Sequence, residues 1–175
     1  DTHGLRGLQL MSGGDGAAGF CLWRLERRRH LATWRTGVGA KLAGGRWNSK
    51  GRAAVYGSLD PATAILEVAV HKGFKVLDCV AHVLICVRIT DPESVFEVAA
   101  ASLPNPNWLV PGSPSQGQQA HGDRLLAEHP FIVVPSTVSR HSRNIIMNPD
   151  TGGDLVAPVI EEAFALDPRL NPPAA

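Results

Sequence analysis

The stretch GGRWNSKGRAAVYGSLDPATAILEVAVHKG, residues 44–73, predicts the centre of the fold. Its second half carries a complete helix signal, because Asp60 is a good N-cap, Pro61 suits the first helical position and Gly73 supplies a stop. The preceding run AAVYGS, residues 53–58, is short and apolar and predicts a buried strand. We therefore expect a strand that leads directly into a helix.

The predicted helix carries one carboxylate in an apolar setting. Glu67 lies within the run AILEVAV, and apolar residues nearly encircle the helix, so we expect most of the helix to be buried. A buried carboxylate costs desolvation free energy unless it is paired, hydrogen-bonded or facing a cavity. Two interpretations follow. Glu67 belongs either to a solvent-facing stripe with His71 and Lys72, or to the floor of a cleft where it acts on a substrate.

Apolar runs on either side of this stretch predict the other strands. They cover residues 20–29, 80–89 and 131–136, with a brief strand or turn at 92–99 and a strand or extended loop at 144–150. A second helix is predicted over residues 115–128, and the glycine-rich segment 30–52 is predicted to be a loop. From Pro158 we expect one or two helical turns and then a frayed end. Several strands with few helices and long loops favour an α+β domain over a doubly wound sheet.

Length and composition limit the classes of function. A chain of 175 residues suggests one domain, which we place at residues 20–165 between an N-terminal arm or leader (1–19) and a C-terminal tail (166–175). A net charge of +1 does not favour nucleic acid as a direct partner, and no apolar run approaches the ~18 residues of a membrane span. Cys21, Cys79 and Cys86 are scattered without a CxxC pair, which predicts reduced thiols in a cytoplasm, with Cys86 as a core residue. The histidines lack metal-ligand spacing, so we predict no metal.

Two further residues in the opening stretch are candidates for a site. Arg46 follows two glycines, which let the backbone turn tightly and bring a guanidinium close to a phosphate or carboxylate. Tyr56 ends the strand just before the helix of Glu67, where it is either an ordinary strand-end residue or an aromatic platform for a flat ring. A Pro-rich segment around Trp108 either presents apolar surface to a partner or packs in the core.

The order of these motifs resembles the RES-domain family, toxins of bacterial toxin–antitoxin pairs that are named after an Arg, a Glu and a Ser. GGRWN supplies Arg46, AILEV supplies Glu67 and VVPS supplies Ser136. LWRL with Arg24, VYGS and the segment NIIMNP that begins at Asn144 are similar to further family segments. The resemblance covers residues 21–154.

The resemblance implies a compact α+β fold with a mixed sheet and flanking helices, similar to mono-ADP-ribosyltransferases such as diphtheria toxin. It implies NAD as the substrate and no other cofactor. The outcome is hydrolysis, phosphorolysis or ADP-ribose transfer to a protein such as phosphoribosyl pyrophosphate synthetase. It also implies a helix-turn-helix antitoxin of the Xre type that occludes the active site in a hetero-oligomer.

The resemblance also implies roles for individual residues. Glu67 would stabilise the positively charged ribose that forms as nicotinamide leaves. Arg46, together with Arg24, would hold the diphosphate, and Tyr56 would stack on nicotinamide. Catalytic roles accordingly fall to Glu67, Arg46, Tyr56 and Ser136, and contacts to NAD to Arg24, Arg46, Tyr56, Ser136 and Asn144.

Two other functions stay open on the sequence alone. The chain is alternatively a non-catalytic α+β binding module whose glycine loop grips an anionic ligand or a partner protein. A serine hydrolase that uses Ser136 with His141 is less well supported, because no GxSxG elbow surrounds the serine. Within the NAD interpretation, the acceptor can be water, phosphate or a protein side chain.

Overall fold

The computed structural model describes residues 19–173, and its strands form one seven-stranded sheet. The strands are β1 (Cys21–Arg27), β2 (Val55–Ser58), β3 (His82–Ile89), β4 (Val95–Glu97), β5 (Phe131–Pro135), β6 (Arg143–Met147) and β7 (Val156–Phe164). Their spatial order is β4-β5-β6-β2-β1-β3-β7. The β4–β5 pair is parallel and the other pairs are antiparallel. The predicted α+β fold with a mixed sheet is therefore confirmed.

Five helices and several short 3-10 turns flank the described sheet. The helices are α1 (Val38–Ala43), α2 (Pro61–Lys72), α3 (Phe74–Cys79), α4 (Gln116–Glu128) and α5 (Pro149–Gly152). The predicted helix over 115–128 is confirmed as α4, since Ser115 caps it by accepting the N–H of Gln118.

Helix α2 forms where its caps predict it. The Asp60 carboxylate accepts the Thr63 N–H at 2.8 Å, Pro61 occupies the first helical position, and Gly73 ends the helix with a φ of 80°. The helix packs on β1, β2 and β6. This placement brings the residues of its inner face to the middle of the sheet.

The expectation that most of α2 is buried is wrong. The Leu66 side chain is 37% exposed and the Val70 side chain is 60% exposed, whereas Ala64 and Ala69 are buried. The helix lies on the surface of the sheet, so only one face finds apolar partners.

The core has two main layers because strand side chains alternate between the faces of the sheet. On β5, Phe131 and Val133 pack with Leu22 and Val83 on one face. Ile132 and Val134 pack on the other face, beneath α4. A third cluster lies between the sheet and helices α2 and α3. Cys86 is 1% exposed, as predicted for a core residue, and all three cysteines are free.

The prediction of helical turns after Pro158 is wrong. Residues from Val156 to Phe164 form β7, which pairs with β3 from Ile89↔Val156 to His82↔Phe164. The run EEAF contains good helix formers, but pairing with a long neighbouring strand overrides that local preference.

Two other segments differ from expectation. Segment 30–52 is not entirely a loop, because α1 and a 3-10 turn at Trp34–Thr36 lie within it. The tail beyond the strands packs onto α3, since Leu166 is buried and Asn171 donates to Asp78 at 2.9 Å. The predicted N-terminal arm lies outside the described residues, apart from Gly19. No helix among residues 19–173 has the length and apolarity to cross a membrane.

Candidate active site

A cavity of about 870 Å³ opens between α2, the glycine turn at 44–47 and the loop at 111–114. Pockets for small ligands and cofactors usually measure about 300–1,000 Å³, so this cavity is large enough for a sizeable ligand. Its wall includes five of the six residues that sequence analysis singled out, namely Arg24, Arg46, Tyr56, Glu67 and Asn144. Ser136 lies behind the wall.

The Glu67 carboxylate is held by two side chains through one of its oxygens. Glu67 Oε1 accepts a hydrogen bond from the Ser136 hydroxyl at 2.8 Å and another from the Asn144 amide at 2.6 Å. Among the described residues, no hydrogen bond reaches Oε2. Glu67 is half-buried and lines the cavity, so its second oxygen is available to a ligand.

The strand pairing explains why these side chains meet. Asn144 lies on β6 opposite Val134 of β5, and Ser136 directly follows β5. The two polar side chains therefore occupy the same end of adjacent antiparallel strands. Helix α2 crosses the sheet at this end and places Glu67 above them.

Ser136 is fully buried and cannot act as a nucleophile in this arrangement. Its Oγ accepts hydrogen bonds from the N–H groups of Val138 and Ser139 at 3.1 and 3.0 Å, and its hydroxyl donates a hydrogen bond to Glu67. His141 is exposed and makes no hydrogen bond to Ser136 in the described part of the chain. The arrangement contradicts the serine-hydrolase alternative and makes Ser136 a support for Glu67.

Arg24 is fixed at the cavity wall by two neighbours. Its Nε and Nη2 donate to Glu26 Oε2 at 2.9 and 2.5 Å, and its Nη1 donates to the Tyr56 carbonyl oxygen at 2.6 Å. These bonds use three of the five N–H donors of the guanidinium. The remaining donors are available to an anionic group.

Arg46 connects the glycine turn to the loop that precedes α4. Its Nη1 donates to the Trp108 carbonyl oxygen at 2.7 Å, and its Nη2 donates to the Val110 carbonyl oxygen at 3.3 Å. Burial lowers the pKa of the Arg46 guanidinium, while the nearby Glu67 carboxylate opposes that shift. Trp108 is 7% exposed, so it packs in the core rather than presenting apolar surface to a partner.

Tyr56 lines the cavity with its ring and anchors the glycine turn with its hydroxyl. The hydroxyl accepts the Trp47 N–H at 2.9 Å and donates to Asn48 Oδ1 at 2.7 Å. Burial raises the pKa of the Tyr56 phenol well above its usual value, so the hydroxyl stays protonated. Position 45 favours glycine, because a Cβ there would lie 2.5 Å from the Tyr56 hydroxyl oxygen and would force a neighbouring group to shift. This second role of Tyr56 was not predicted from the sequence.

Sequence analysis also missed Ser58, which is 1% exposed and lies at the end of β2. Ser58 is opposite Asn144 in the β2–β6 pairing, and its hydroxyl donates to Asn144 Oδ1 at 2.8 Å. The only sequence signal was its position at the end of the run VYGS. Arg46 donates to the backbone carbonyls of Trp108 and Val110, and such backbone contacts cannot be predicted from residue type.

The charges around the cavity suit a ligand that has one anionic group and a second group that develops a positive charge. Arg24, Arg46 and Glu67 line it together with His71 and Lys72, and Arg24 is also ion-paired with Glu26. Such a site can bind phosphate groups and stabilise a nearby developing positive charge.

Comparison with known proteins gives consistent matches over most of the chain. The model of the RES domain family matches residues 21–167. Toxin Res of Yersinia enterocolitica serotype O:8 / biotype 1B is 32% identical over 154 residues, which cover 86% of this chain and 99% of that protein. The Prs ADP-ribosylating toxin of Sphingobium sp. (strain YBL2) is 32% identical over 138 residues, which cover 73% of this chain and 81% of that protein.

The fold also matches a solved structure. The crystal structure of the M. tuberculosis MbcT–MbcA toxin–antitoxin complex aligns with a TM-score of 0.67 at 18% identity, covering 84% of this chain and 85% of that one. The sequence matches span both the Glu67 helix and the strands that support it. The chain therefore belongs to the RES domain family.

Proposed function

We propose that this protein is a toxin that cleaves the bond between nicotinamide and ribose in NAD. The observation that carries the proposal is the Glu67 carboxylate. One of its oxygens is held by Ser136 and Asn144, and the other faces a cavity that also contains Arg24 and Arg46.

The chemistry requires a carboxylate placed in this way. When the bond between C1 of the ribose and the nicotinamide nitrogen breaks, the electron pair goes to nicotinamide, which leaves as a neutral ring. The ribose becomes oxocarbenium-like and positively charged, and carboxylates and hydrogen bonds to the 2-hydroxyl stabilise such states. In our proposal Glu67 Oε2 binds a ribose hydroxyl and stabilises this cation. The acceptor then bonds to C1 and loses its proton.

The other residues bind and orient NAD. Arg24 and Arg46 have N–H donors left for the diphosphate, since charge-assisted hydrogen bonds to phosphate oxygens suit guanidinium groups. The Tyr56 ring stacks on nicotinamide. Asn144, which lines the cavity, contacts the nicotinamide ribose, whereas the buried Ser136 acts by holding Glu67.

The relatives support the toxin assignment, and we propose the target, the antitoxin partner and the cellular compartment with their help. The Sphingobium relative is named as a toxin that ADP-ribosylates Prs, which favours transfer to a protein, such as phosphoribosyl pyrophosphate synthetase, as one outcome. The M. tuberculosis neighbour is solved as a toxin–antitoxin complex. We propose an antitoxin of the Xre helix-turn-helix type that covers the cavity in a hetero-oligomer, and action in the cytoplasm.

The test is to incubate the purified chain with NAD and to measure nicotinamide release. Release that requires added phosphate identifies phosphorolysis, and release in plain buffer identifies hydrolysis. Slow release, with one protein of an added bacterial lysate gaining labelled ADP-ribose, identifies transfer to a target. If the folded protein releases no nicotinamide in any of these conditions, the proposal is wrong, and retention of NAD without turnover would indicate a binding module.

A further inference from the structure

A chain of hydrogen bonds extends behind Glu67 to a residue on the next strand. The Ser58 hydroxyl donates to Asn144 Oδ1 at 2.8 Å, and Asn144 Nδ2 donates to Glu67 Oε1 at 2.6 Å. Ser58 belongs to the cavity wall but is only 1% exposed, so water has little access to its hydroxyl. Helix α2 and strands β2 and β6 are linked by these two bonds.

The direction of each bond follows from the chemistry of the groups. An ionised carboxylate only accepts hydrogen bonds, so the Asn144 amide must turn its NH₂ group toward Glu67. Its carbonyl oxygen then faces Ser58, whose hydroxyl must donate rather than accept. On the other side, Ser136 accepts two backbone N–H groups and has its proton left for Glu67. Glu67 Oε1 therefore accepts one proton from Ser136 and one from Asn144, and Ser58 donates to the far side of the Asn144 amide.

We propose that Ser58 is a positioning residue for the active-site carboxylate. Its hydroxyl fixes the orientation of the Asn144 amide, and the amide in turn holds Glu67 with Oε2 toward the cavity. Without the hydroxyl, the Asn144 carbonyl loses its donor, and only the bond to Glu67 restrains the amide. The amide then rotates over a wider range, its bond to Glu67 Oε1 weakens, and the carboxylate is held less firmly.

The kinetic test compares two substitutions of Ser58 and rests on the proposed NAD cleavage. Ser58→Ala should lower kcat for nicotinamide release about tenfold and leave KM within about twofold, because Glu67 stabilises the transition state more than it binds substrate. Ser58→Thr keeps the hydroxyl and should restore most of kcat. The matched control is Thr63→Val, which removes a buried hydroxyl of α2 that donates to Asp60 and should leave kcat within about twofold.

A spectroscopic measurement tests the same role without NAD turnover. In ¹H–¹⁵N NMR spectra, the side-chain amide of Asn144, assigned by its loss in Asn144→Ala, should exchange slowly with water in the unsubstituted chain and in Ser58→Thr. In Ser58→Ala the same signals should shift and exchange faster. If they do so while the unsubstituted chain shows no turnover, the positioning role holds and the proposed function fails. Unchanged Asn144 signals in folded Ser58→Ala, or an unchanged kcat in an active enzyme, would overturn the inference.

Discussion

The replacement Glu67→Gln tests the proposed mechanism most directly, because the surrounding network dictates how glutamine must sit. Ser136 and Asn144 both donate to the position of Oε1, so the glutamine carbonyl oxygen has to occupy it. The glutamine NH₂ group then takes the position of Oε2 and faces the cavity. Both hydrogen bonds survive and the fold should be preserved. The cavity, however, loses a negative acceptor and gains a neutral donor.

The magnitude follows from the lost charge. Two opposite unit charges about 4 Å apart attract each other by roughly 4 kcal/mol at an effective dielectric constant of about 20. Glu67 is only half-buried, which makes this value more appropriate than that of a dry interior. A loss of about 4 kcal/mol from the transition state corresponds to roughly a 10³-fold fall in kcat.

The assay measures nicotinamide release and thermal unfolding of the same preparations. Glu93→Gln, which neutralises an exposed glutamate on the 3-10 turn at Pro92–Ser94, is the matched control and should keep kcat within about twofold. Glu67→Gln should unfold within a few degrees of the unsubstituted chain. If the folded variant retains more than a tenth of kcat, the carboxylate does not stabilise the ribose cation and the mechanism is wrong.

Three further predictions concern the glycine turn. Arg46→Ala should raise KM for NAD by about 10- to 100-fold through lost charge-assisted hydrogen bonds, and an unchanged KM in steady-state kinetics would exclude the diphosphate role. Tyr56→Phe should lower the free energy of unfolding in urea by about 1–3 kcal/mol, because the Trp47 N–H and Asn48 lose a buried partner. Gly45→Ala should cost a similar ~1–3 kcal/mol, since its Cβ would press on the Tyr56 hydroxyl. Tyr56→Phe removes the hydroxyl contact but keeps the ring carbon and Asn48 Oδ1, each 2.8 Å from the Cβ. The double variant should therefore cost somewhat less than the sum of the two, and full additivity would show that the hydroxyl contact is not the cause.

Elements with local signals could be predicted from the sequence, and elements that depend on distant partners could not. Helix α2 was predicted because Asp60, Pro61 and Gly73 define its ends through contacts within a few residues. Strand β7 was missed because its segment contains helix formers and becomes a strand only by pairing with β3. The over-prediction of burial in α2 has the same origin, since the sequence does not reveal which face lies on the sheet.

The same distinction applies to the site. Glu67 could be predicted as a site residue because a carboxylate is unusual in an apolar helix. The family resemblance linked it to Arg46 and Ser136. The structure brings Glu67 and Ser136 together across 69 positions of the chain. Ser58 gave no comparable signal, because its role depends on the β2–β6 register that sets it opposite Asn144. An unusual single residue can be recognised in a sequence. A hydrogen-bond network that crosses several strands can be recognised only when the strand pairing is known.

The diphosphate role that we propose for Arg46 would link substrate binding to the loop between β4 and α4, which Arg46 already contacts. Its bonds to the Trp108 and Val110 carbonyls use one proton each from Nη1 and Nη2, which leaves three N–H donors for an anionic ligand. Arg46 can therefore hold the loop and bind a diphosphate at the same time. A diphosphate bound in this way fixes the guanidinium further and so fixes the loop, whose residues 111–114 line the cavity. In the proposed reaction, this loop forms part of the surface that an acceptor must pass to reach the ribose. Sequence changes in the loop should therefore alter which acceptor is used while leaving the Glu67 network and the chemistry of bond cleavage unchanged.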